Sequence, residues 1–592
     1  MKLPSLQSLW DETLAVFRRF PLQVLVTIAA VFVFILKIDT PSLSYLNKLL
    51  GCLNFALTLL LAADLFAETH SWNAVKQWSL RVAVLLVCGA LYFLLNPAIF
   101  EADQIRMLLL GFAFHLLVSF SPFIGRGNVQ GFWAYNERLF LRLINAGIFS
   151  LVLTIGLYIA YASTDALFDL KLSGKMYGYI SSFTLVGFLT IFFLSGVPKD
   201  FATLNDQPHG YPKWLKIFTQ YVLIPLVTVY LMILLAYEGK ILLSWELPKG
   251  YVSTLILGYA VMGILSLLLI YPIRNKEGNS WMTVFSKLFY VMMIPLVILL
   301  LLAVWKRVSV YGITEARYIL VLLAVWLTIV TFYNLVSRKQ NIRLIPVSLC
   351  VLALLAVYGP QSAFSVSKYS QVQRLKRLFG KNDSSARSEK QEIIRYLVRY
   401  HGIMAVQDFT TKDLGPLRDH FDKRLAGAEW KYSLREQQID SVMSILKVPK
   451  SPGMYDSGLS ASADQAIIIK GYDYYLPYTD YERNEYVVGG AVVSIYSHER
   501  KGLELKLDTE VVTIDVSRHA AKIYAAIKAG KLELQENSPY VYHLPDSLVE
   551  IPIETKQFIG VFHINKITVA DNEGSVIRSL EGALLLRLKT TK

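Results

Sequence analysis

Several polar side chains stand inside long apolar stretches, where a polar group is costly unless it faces protein or water. Asp64 follows the apolar run 57–63, and Glu68 lies one helical turn later on the same face. His115 lies in the middle of another apolar stretch, and Asn54 lies upstream of Asp64. One interpretation is a proton or ion path in which Asp64 and His115 are titratable relays. The alternative is that both carboxylates reach the interface and that His115 makes one interhelical hydrogen bond.

A second group of chemically capable residues falls in the segment 121–142, which is predicted to be a loop. Its candidate functional residues are Arg126, Trp133, Asn136, Arg138 and Arg142. Guanidinium groups bind phosphate in two-pronged fashion, so one interpretation is a site for a lipid headgroup or a phosphorylated substrate. The alternative is an aromatic and basic anchor at the membrane interface.

Tyrosines cluster near residue 480, with acidic residues between them. The cluster consists of Tyr472, Tyr474, Tyr475, Tyr478, Tyr481 and Tyr486, together with Asp473, Asp480 and Glu482. Aromatic faces beside carboxylates suit glycan or protein partners. Tyrosine is also common in half-buried strands, which is the alternative interpretation.

Motifs for several enzyme classes are absent from the sequence. There is no Walker A loop, no HExxH pair, no nucleophile elbow and no paired CxxC. Cys52, Cys88 and Cys350 each lie in an apolar run. The soluble part after residue 360 has no cysteine, so it contains neither a disulfide framework nor a cysteine-based metal site. No catalytic residue, cofactor or metal is predicted.

The elements that must position these residues are membrane helices. Of the 592 residues, 54% are apolar, and up to about residue 360 apolar runs recur with roughly the 20-residue length that crosses the hydrocarbon core as a helix. The predicted fold is an α-helical polytopic membrane bundle of about eleven transmembrane helices followed by a soluble α+β domain, mostly antiparallel β. The predicted spans are 21–37, 46–66, 79–96, 105–121, 141–161, 177–196, 217–237, 252–272, 284–304, 317–336 and 343–359.

The net charge of +14 does not indicate nucleic acid binding. The first 360 residues carry 27 Lys and Arg against 16 Asp and Glu, whereas the rest carries 32 against 29. The basic excess therefore lies in membrane loops and not on a soluble nucleic-acid surface. Seventeen of the 27 basic residues fall at the N-terminus and in even-numbered loops. This distribution predicts a cytoplasmic N-terminus and an extracytoplasmic C-terminal domain.

Three further regions complete the predicted organisation. Residues 1–20 form an interfacial amphipathic helix, because Leu6, Trp10, Leu14 and Phe17 recur at helical spacing. Residues 361–450 form a helical juxtamembrane region, with apolar stripes between charged faces. Residues 451–592 form a β-rich soluble domain, in which Leu503, Leu505 and Leu507 alternate with charged residues and 571–574 suits a hairpin loop.

Four segments resemble a known family. They are FWAYNERLFLR at 132–142, YGITEARY at 311–318, GPQSAFSVS with SQVQRL at 359–375, and LPKGYV at 247–252. Together they resemble the bacterial polytopic membrane proteins that contain a domain of unknown function of the 4153 type. The resemblance covers the membrane half and the segment after it. It implies a multi-pass protein of the bacterial cytoplasmic membrane, and it implies no activity.

The same segments supply the last candidate residues. Glu315 and Arg317 lie where the loop after the ninth span enters the tenth, and Arg374 follows the last span. They either form interfacial ion pairs that fix helix packing or line a site that opens to the outer face.

Three functions remain open from the sequence. The first is a non-enzymatic envelope protein whose bundle anchors an extracytoplasmic domain for sensing or assembly. Its partners would be the lipid bilayer and other envelope proteins or glycans. The second is a transporter or permease that uses Asp64 and His115. The third is a membrane transferase that acts on lipid-linked substrates.

Overall fold

The computed structural model divides into two compact units, 1–449 and 450–592. The described residues are 14–41, 43, 45–206, 211–244, 252–337, 340–380, 384–427, 431–448, 459–463, 467, 469–480, 484–498, 502–507, 510–535, 538–555, 557–569 and 576–589. Of the predicted interfacial helix, residues 14–19 are described and are helical. Leu6, Trp10, Tyr481, the predicted hairpin loop at 571–574 and the segment 247–251 lie outside the described residues.

The first unit is built on apolar helices that are long enough to cross a bilayer. Within the described residues, ten meet this length and composition: α1 (Pro21–Asp39), α2 (Tyr45–Thr69), α3 (Ala74–Leu94), α4 (Glu101–Phe120), α5 (Val129–Phe168), α6 (Lys175–Ser195), α8 (Lys213–Ser244), α9 (Val252–Ile270), α10 (Ser280–Tyr311) and α11 (Glu315–Val336). A short helix, α7 (Phe201–Asp206), lies between α6 and α8. The predicted fold class, a polytopic membrane bundle followed by a β-rich region, is confirmed.

An eleventh apolar helix, α12 (Leu344–Val357), has only 14 residues and so spans about 21 Å at the helical rise. The segment 343–364, which contains α12, nevertheless runs along α4 from one end to the other. At its start Arg343 donates to the carbonyl of Gly127 (2.7 Å), beyond the C-terminal end of α4. Midway, Cys350 contacts the carbonyl of Ala113, and the residues after α12 pack against Ala102 at the other end of α4. The chain therefore passes through the bundle along α12, in agreement with the prediction of about eleven spans.

The prediction that 121–142 form a loop is wrong for most of these residues. Ser121–Phe123 form one 3₁₀ turn, and α5 begins at Val129 and continues without a break into the membrane span. The Asn128 side chain caps α5, because its Oδ1 accepts the N–H of Gly131 (2.7 Å). Residues 131–135, which include Trp133 and Tyr135, are all buried, and Leu139 one turn later is buried as well. Packing of this face explains why polar residues that resemble a loop are helical here.

Four helices follow the bundle in the first unit. They are α13 (Ala363–Phe379), α14 (Ser384–His401), α15 (Gly415–Gly427) and α16 (Lys431–Ile445), with a 3₁₀ segment over Ile403–Phe409. They share one apolar core, whose fully buried members include Leu375, Ile394, Leu397, Val406 and Ile439. We call these residues, 363–448, the juxtamembrane region. Because α12 ends beside the start of α4, this region and residues 96–101 lie at the same end of the bundle.

Within its described residues, the second unit contains two sheets and the helix α17 (Ser517–Lys528). The larger sheet has the strand order β2 (Tyr474–Thr479), β11 (Ile577–Leu588), β10 (Phe558–Val569), β1 (Leu459–Ser462), β8 (Ser538–His543), β7 (Leu534–Gln535), and β9 (Glu550–Glu554) also pairs with β10. The smaller sheet is the meander β3 (Glu485–Val488), β4 (Ala491–His498), β5 (Gly502–Leu507), β6 (Glu510–Asp515). All pairs are antiparallel except β1 with β8. Leu503, Leu505 and Leu507 are buried, as their alternation predicts.

Candidate functional site

Glu315 is the centre of a buried polar cluster at the junction between bundle and juxtamembrane region. It is the first residue of α11 and is 1% exposed. Its Oε1 accepts the hydroxyl of Ser367 (2.7 Å) and lies 3.1 Å from Nε2 of His401. Its Oε2 accepts the phenol of Tyr396. Four side chains from α11, α13 and α14 therefore meet at one carboxylate, and burial makes each of these contacts costly to lose.

A catalytic interpretation of this cluster does not fit its geometry. In a hydrolytic triad the imidazole stands between hydroxyl and carboxylate, so that it can take the hydroxyl proton. Here Ser367 donates directly to Glu315, and its Oγ is 3.5 Å from the imidazole. Ser367 is fully buried. Burial, and then the negative charge of Glu315, raise the pKa of the Tyr396 phenol, so this hydroxyl stays protonated and keeps donating.

The predicted partners Arg317 and Arg374 meet on the turn before α11 and not on Glu315. Both donate to the carbonyl of Tyr311, at 3.0 and 2.7 Å. Arg374 also pairs with Glu389 of α14. Gly312 has a φ of +68°, which a residue with a side chain rarely adopts, and this geometry exposes the Tyr311 carbonyl to its donors. Arg374 thus connects α13 to the turn before α11, and Arg317 holds the same turn. The Glu315 carboxylate instead contacts His401.

A second connection holds α14 and α16 to the bundle at Glu101, the first residue of α4. Arg399 donates to one Glu101 oxygen from both Nε (3.0 Å) and Nη2 (2.9 Å). Arg435 of α16 lies 3.9 Å from the same oxygen and donates to the carbonyl of Ala98 (3.2 Å). Burial lowers the pKa of the Arg435 guanidinium, and Glu101 opposes that shift. Two cations therefore share one carboxylate at this point.

His115 lines a cavity of about 940 Å³ that extends from this second connection into the membrane half. Its polar walls come from Asn47, Asn54, Glu101, Gln104, His115 and Arg435. Glu101 and His115 stand at either end of the cavity on α4, about 21 Å apart at the helical rise. The imidazole Nδ1 lies 2.7 Å from the carbonyl of Gly111 in its own helix. No interhelical hydrogen bond of His115 occurs within the described residues.

Asp64 does not line this cavity and is neutralised inside the bundle. It is 1% exposed, and its Oδ1 accepts Nε of Arg81 at 2.8 Å. Its Oδ2 accepts the Gln23 amide at 2.8 Å. Glu68, one turn later, accepts two hydrogen bonds from Arg19 (2.9 and 2.7 Å). Asp64 thus connects α2 to α3 through Arg81 and to α1 through Gln23, and Glu68 connects α2 to the helical segment 14–19 through Arg19.

Of the three arginines predicted to bind phosphate, Arg126 and Arg142 have separate partners. Arg126 donates to the carbonyl of Thr69 (2.9 Å), whereas Arg142 donates to the carbonyl of Phe192 (2.8 Å) and covers its ring. Arg138 is exposed.

The predicted aromatic and amide residues of the segment serve packing. Trp133 donates to the carbonyl of Leu268 (2.7 Å), and Asn136 donates to Ser119 (3.0 Å). The structure thus disperses these side chains over several helices.

Several residues of these clusters were not singled out from the sequence. They are Gln23, Arg81, Glu101, Ser367, Tyr396, Arg399, His401 and Arg435. Arg81 had a usable signal, since it is a charge inside a long apolar run. The juxtamembrane residues gave no such signal in the sequence, because they stand among many charged neighbours. Among the described residues no group of three or more His, Cys, Asp or Glu side chains is placed to hold a metal ion.

Comparisons with known proteins place this chain among uncharacterised relatives. A family model described as "Domain of unknown function (DUF4153)" matches residues 24–386. The chain is 28% identical over 319 residues to "Uncharacterized protein PM1469" of Pasteurella multocida (strain Pm70). That match covers 52% of this chain and 51% of the relative, so the chain spans about half the length of the curated relative it matches. No solved structure matches significantly.

Proposed function

The chain belongs to the DUF4153 family of unknown function, and from its structure we propose that it is a non-enzymatic envelope protein whose membrane bundle anchors a C-terminal domain for sensing or assembly. One observation carries this proposal. The juxtamembrane region is fixed to the bundle at two acidic residues on different helices, the buried Glu315 and the partly exposed Glu101. Two such connections resist rotation as well as separation, as an anchor requires.

The β-rich domain offers surface for a partner. Val487, Val492 and Val511 are 74%, 53% and 54% exposed. Val487 pairs with Val492, and the register of β4, β5 and β6 puts Val511 on the same face of the smaller sheet. An exposed apolar face of a soluble domain is typical of protein contacts. We propose that it meets another envelope protein on the extracytoplasmic side.

In-cell photo-crosslinking tests this function. A photoreactive side chain at Val487 or at Val511 is expected to give the same envelope-protein adduct in growing cells, because the two positions share one face. The control position is Lys76, which is exposed at the start of α3. Absence of an adduct at both valines, or different adducts at each, would contradict the proposal.

One observation favours transport as a second candidate. The cavity that begins at Glu101 reaches His115 well inside the membrane half, as an ion path would require. Asp64 gives no support, because its charge is paired with Arg81. Flux into proteoliposomes that is abolished by His115→Ala and retained in Lys76→Ala would favour transport. Equal leakage with all three proteins would leave the anchor as the better account.

A further inference from the structure

The cavity beside α4 has a charged end and an apolar wall. At one end are Glu101, Gln104 and Arg435, near the junction with the juxtamembrane region. Along the membrane half its wall includes the apolar side chains of Leu108 and Phe112. Its volume of about 940 Å³ lies at the upper end of the range for pockets that bind drug-sized ligands. Such an arrangement suits an occupant with one polar end and one apolar end.

The polar end carries an excess of positive charge. Arg399 and Arg435 face the single carboxylate of Glu101, and Lys37 donates to Asn47 on the cavity wall. The Arg435 side chain is 8% exposed, and its Nη1 has no hydrogen-bond partner among the described residues. A buried guanidinium nitrogen without an acceptor is costly, and an anionic ligand would supply one. This excess of cations indicates a negatively charged occupant.

The apolar wall opens toward lipid. Leu108 is 74% exposed and Phe112 is 47% exposed, although both lie in the middle of the membrane helix α4. Exposed apolar residues at this depth contact hydrocarbon chains. A ligand can therefore enter sideways from the bilayer, with its apolar part remaining among the lipid tails. This feature distinguishes a lipid from a water-soluble anion.

We propose that this cavity binds an anionic phospholipid, with the phosphate at Arg435 and the acyl chains passing Leu108 and Phe112. Gln104, one helical turn from Glu101, also lines the cavity near Arg435, and its amide can donate to the glycerol and ester oxygens. This inference is independent of the proposed anchoring function. It assigns a lipid ligand to the point where α16 meets the bundle.

Lipid binding to the purified full-length protein tests the proposal. Native mass spectrometry in a neutral detergent measures binding of phosphatidylglycerol and of phosphatidylcholine with identical acyl chains. The wild-type protein is expected to prefer phosphatidylglycerol about tenfold, because the choline ammonium of phosphatidylcholine cancels the charge of its phosphate beside Arg399 and Arg435. Arg435→Gln is expected to remove this preference, and Arg435→Lys to keep part of it. Arg343→Gln is the matched control, because it removes another bundle arginine at the opposite end of α4.

A second variant tests the cavity without changing its charge. A Cβ at Gly111 would meet Phe55 at 3.6 Å and Asn54 at 3.9 Å, which is ordinary contact, so Gly111→Ala fits. Gly111→Leu adds atoms on the cavity wall and is expected to weaken binding of both lipids at least tenfold, whereas Gly111→Ala binds like the wild type. If Arg435→Gln does not fold, Gly111→Leu still tests whether the lipid binds in this cavity.

Two results would overturn the proposal. One is wild-type behaviour in the variants, namely a preference for phosphatidylglycerol that survives Arg435→Gln together with full affinity for both lipids in Gly111→Leu. The other is displacement of the lipid by inorganic phosphate or glycerol 1-phosphate at equal concentration, since the site would then take a soluble anion. Failure of both soluble anions to compete supports the amphiphilic ligand.

Discussion

His401 places its Nε2 3.1 Å from Oε1 of Glu315, and the two side chains are only 5% and 2% exposed. The imidazole belongs to the last residue of α14, and the carboxylate to the first residue of a membrane helix. Ser367 and Tyr396 use the remaining acceptor capacity of the carboxylate. The contact therefore joins the juxtamembrane region to the membrane bundle through a desolvated polar group. If this group is removed, water does not reach the site to replace its hydrogen bonds.

Glu315→Ala is expected to destabilise this junction by about 3 kcal/mol, because it leaves three buried donors without their acceptor. Hydrogen exchange of α14 in the full-length protein should become about a hundredfold faster. The matched control is Glu389→Ala, which removes the more exposed partner of Arg374 and should cost about 1 kcal/mol or less. Equal effects of the two variants would show that Glu315 is not the main connection.

Asp64→Asn is expected to lower the stability of the bundle by about 3 kcal/mol, because Arg81 is left as a buried, unpaired charge. The double variant Asp64→Leu with Arg81→Met should regain most of this loss, since it removes both charges together. Unfolding of the purified protein by sodium dodecyl sulfate measures both. A double variant that is as unstable as the sum of its single variants would contradict a direct pair.

The orientation predicted from the basic residues is testable with single cysteines. Lys412→Cys lies in the juxtamembrane region and Lys76→Cys at the opposite end of the bundle, and both positions are exposed. A membrane-impermeant maleimide should label position 412 in intact spheroplasts and position 76 only after permeabilisation. The native Cys52, Cys88 and Cys350 are buried and provide an unlabelled background. The reverse labelling pattern would place the C-terminal domain in the cytoplasm.

The membrane half was predictable because hydrocarbon thickness sets helix length, so composition alone locates each span. The partners of the candidate residues could not be predicted, because these partners come from distant segments of the chain. Glu315 stood out by its position, but Ser367, Tyr396 and His401 join it only through the packing of α13 and α14 on α11. Arg81 was counted among the loop residues that indicate orientation, although it is buried on Asp64. Charge counts cannot separate a cation that orients a loop from one that pairs inside a helix bundle.

The β-rich domain is expected to lose stability as the pH falls below about 6.5. His563 of β10 is buried opposite Glu550 of β9, and its Nδ1 has no hydrogen-bond partner among the described residues. Burial lowers the pKa of His563, and the Glu550 charge opposes that shift. Below the unfolded-state pKa of about 6.5 the unfolded chain therefore binds more protons than the folded one. The stability contribution is present above that pH and is lost as the pH falls toward the folded-state pKa.

Pulse proteolysis of the full-length protein in urea at pH 7 and pH 5 measures this dependence. His563→Gln should reduce the loss at pH 5, and a part should remain because the pKa of His519 is also lowered, first by burial and then by Lys522. Glu550→Gln should act in the opposite direction and increase the loss, because it removes the charge that favours protonated His563. If His563→Gln leaves the difference between the two pH values unchanged, another group controls the acid stability of this domain.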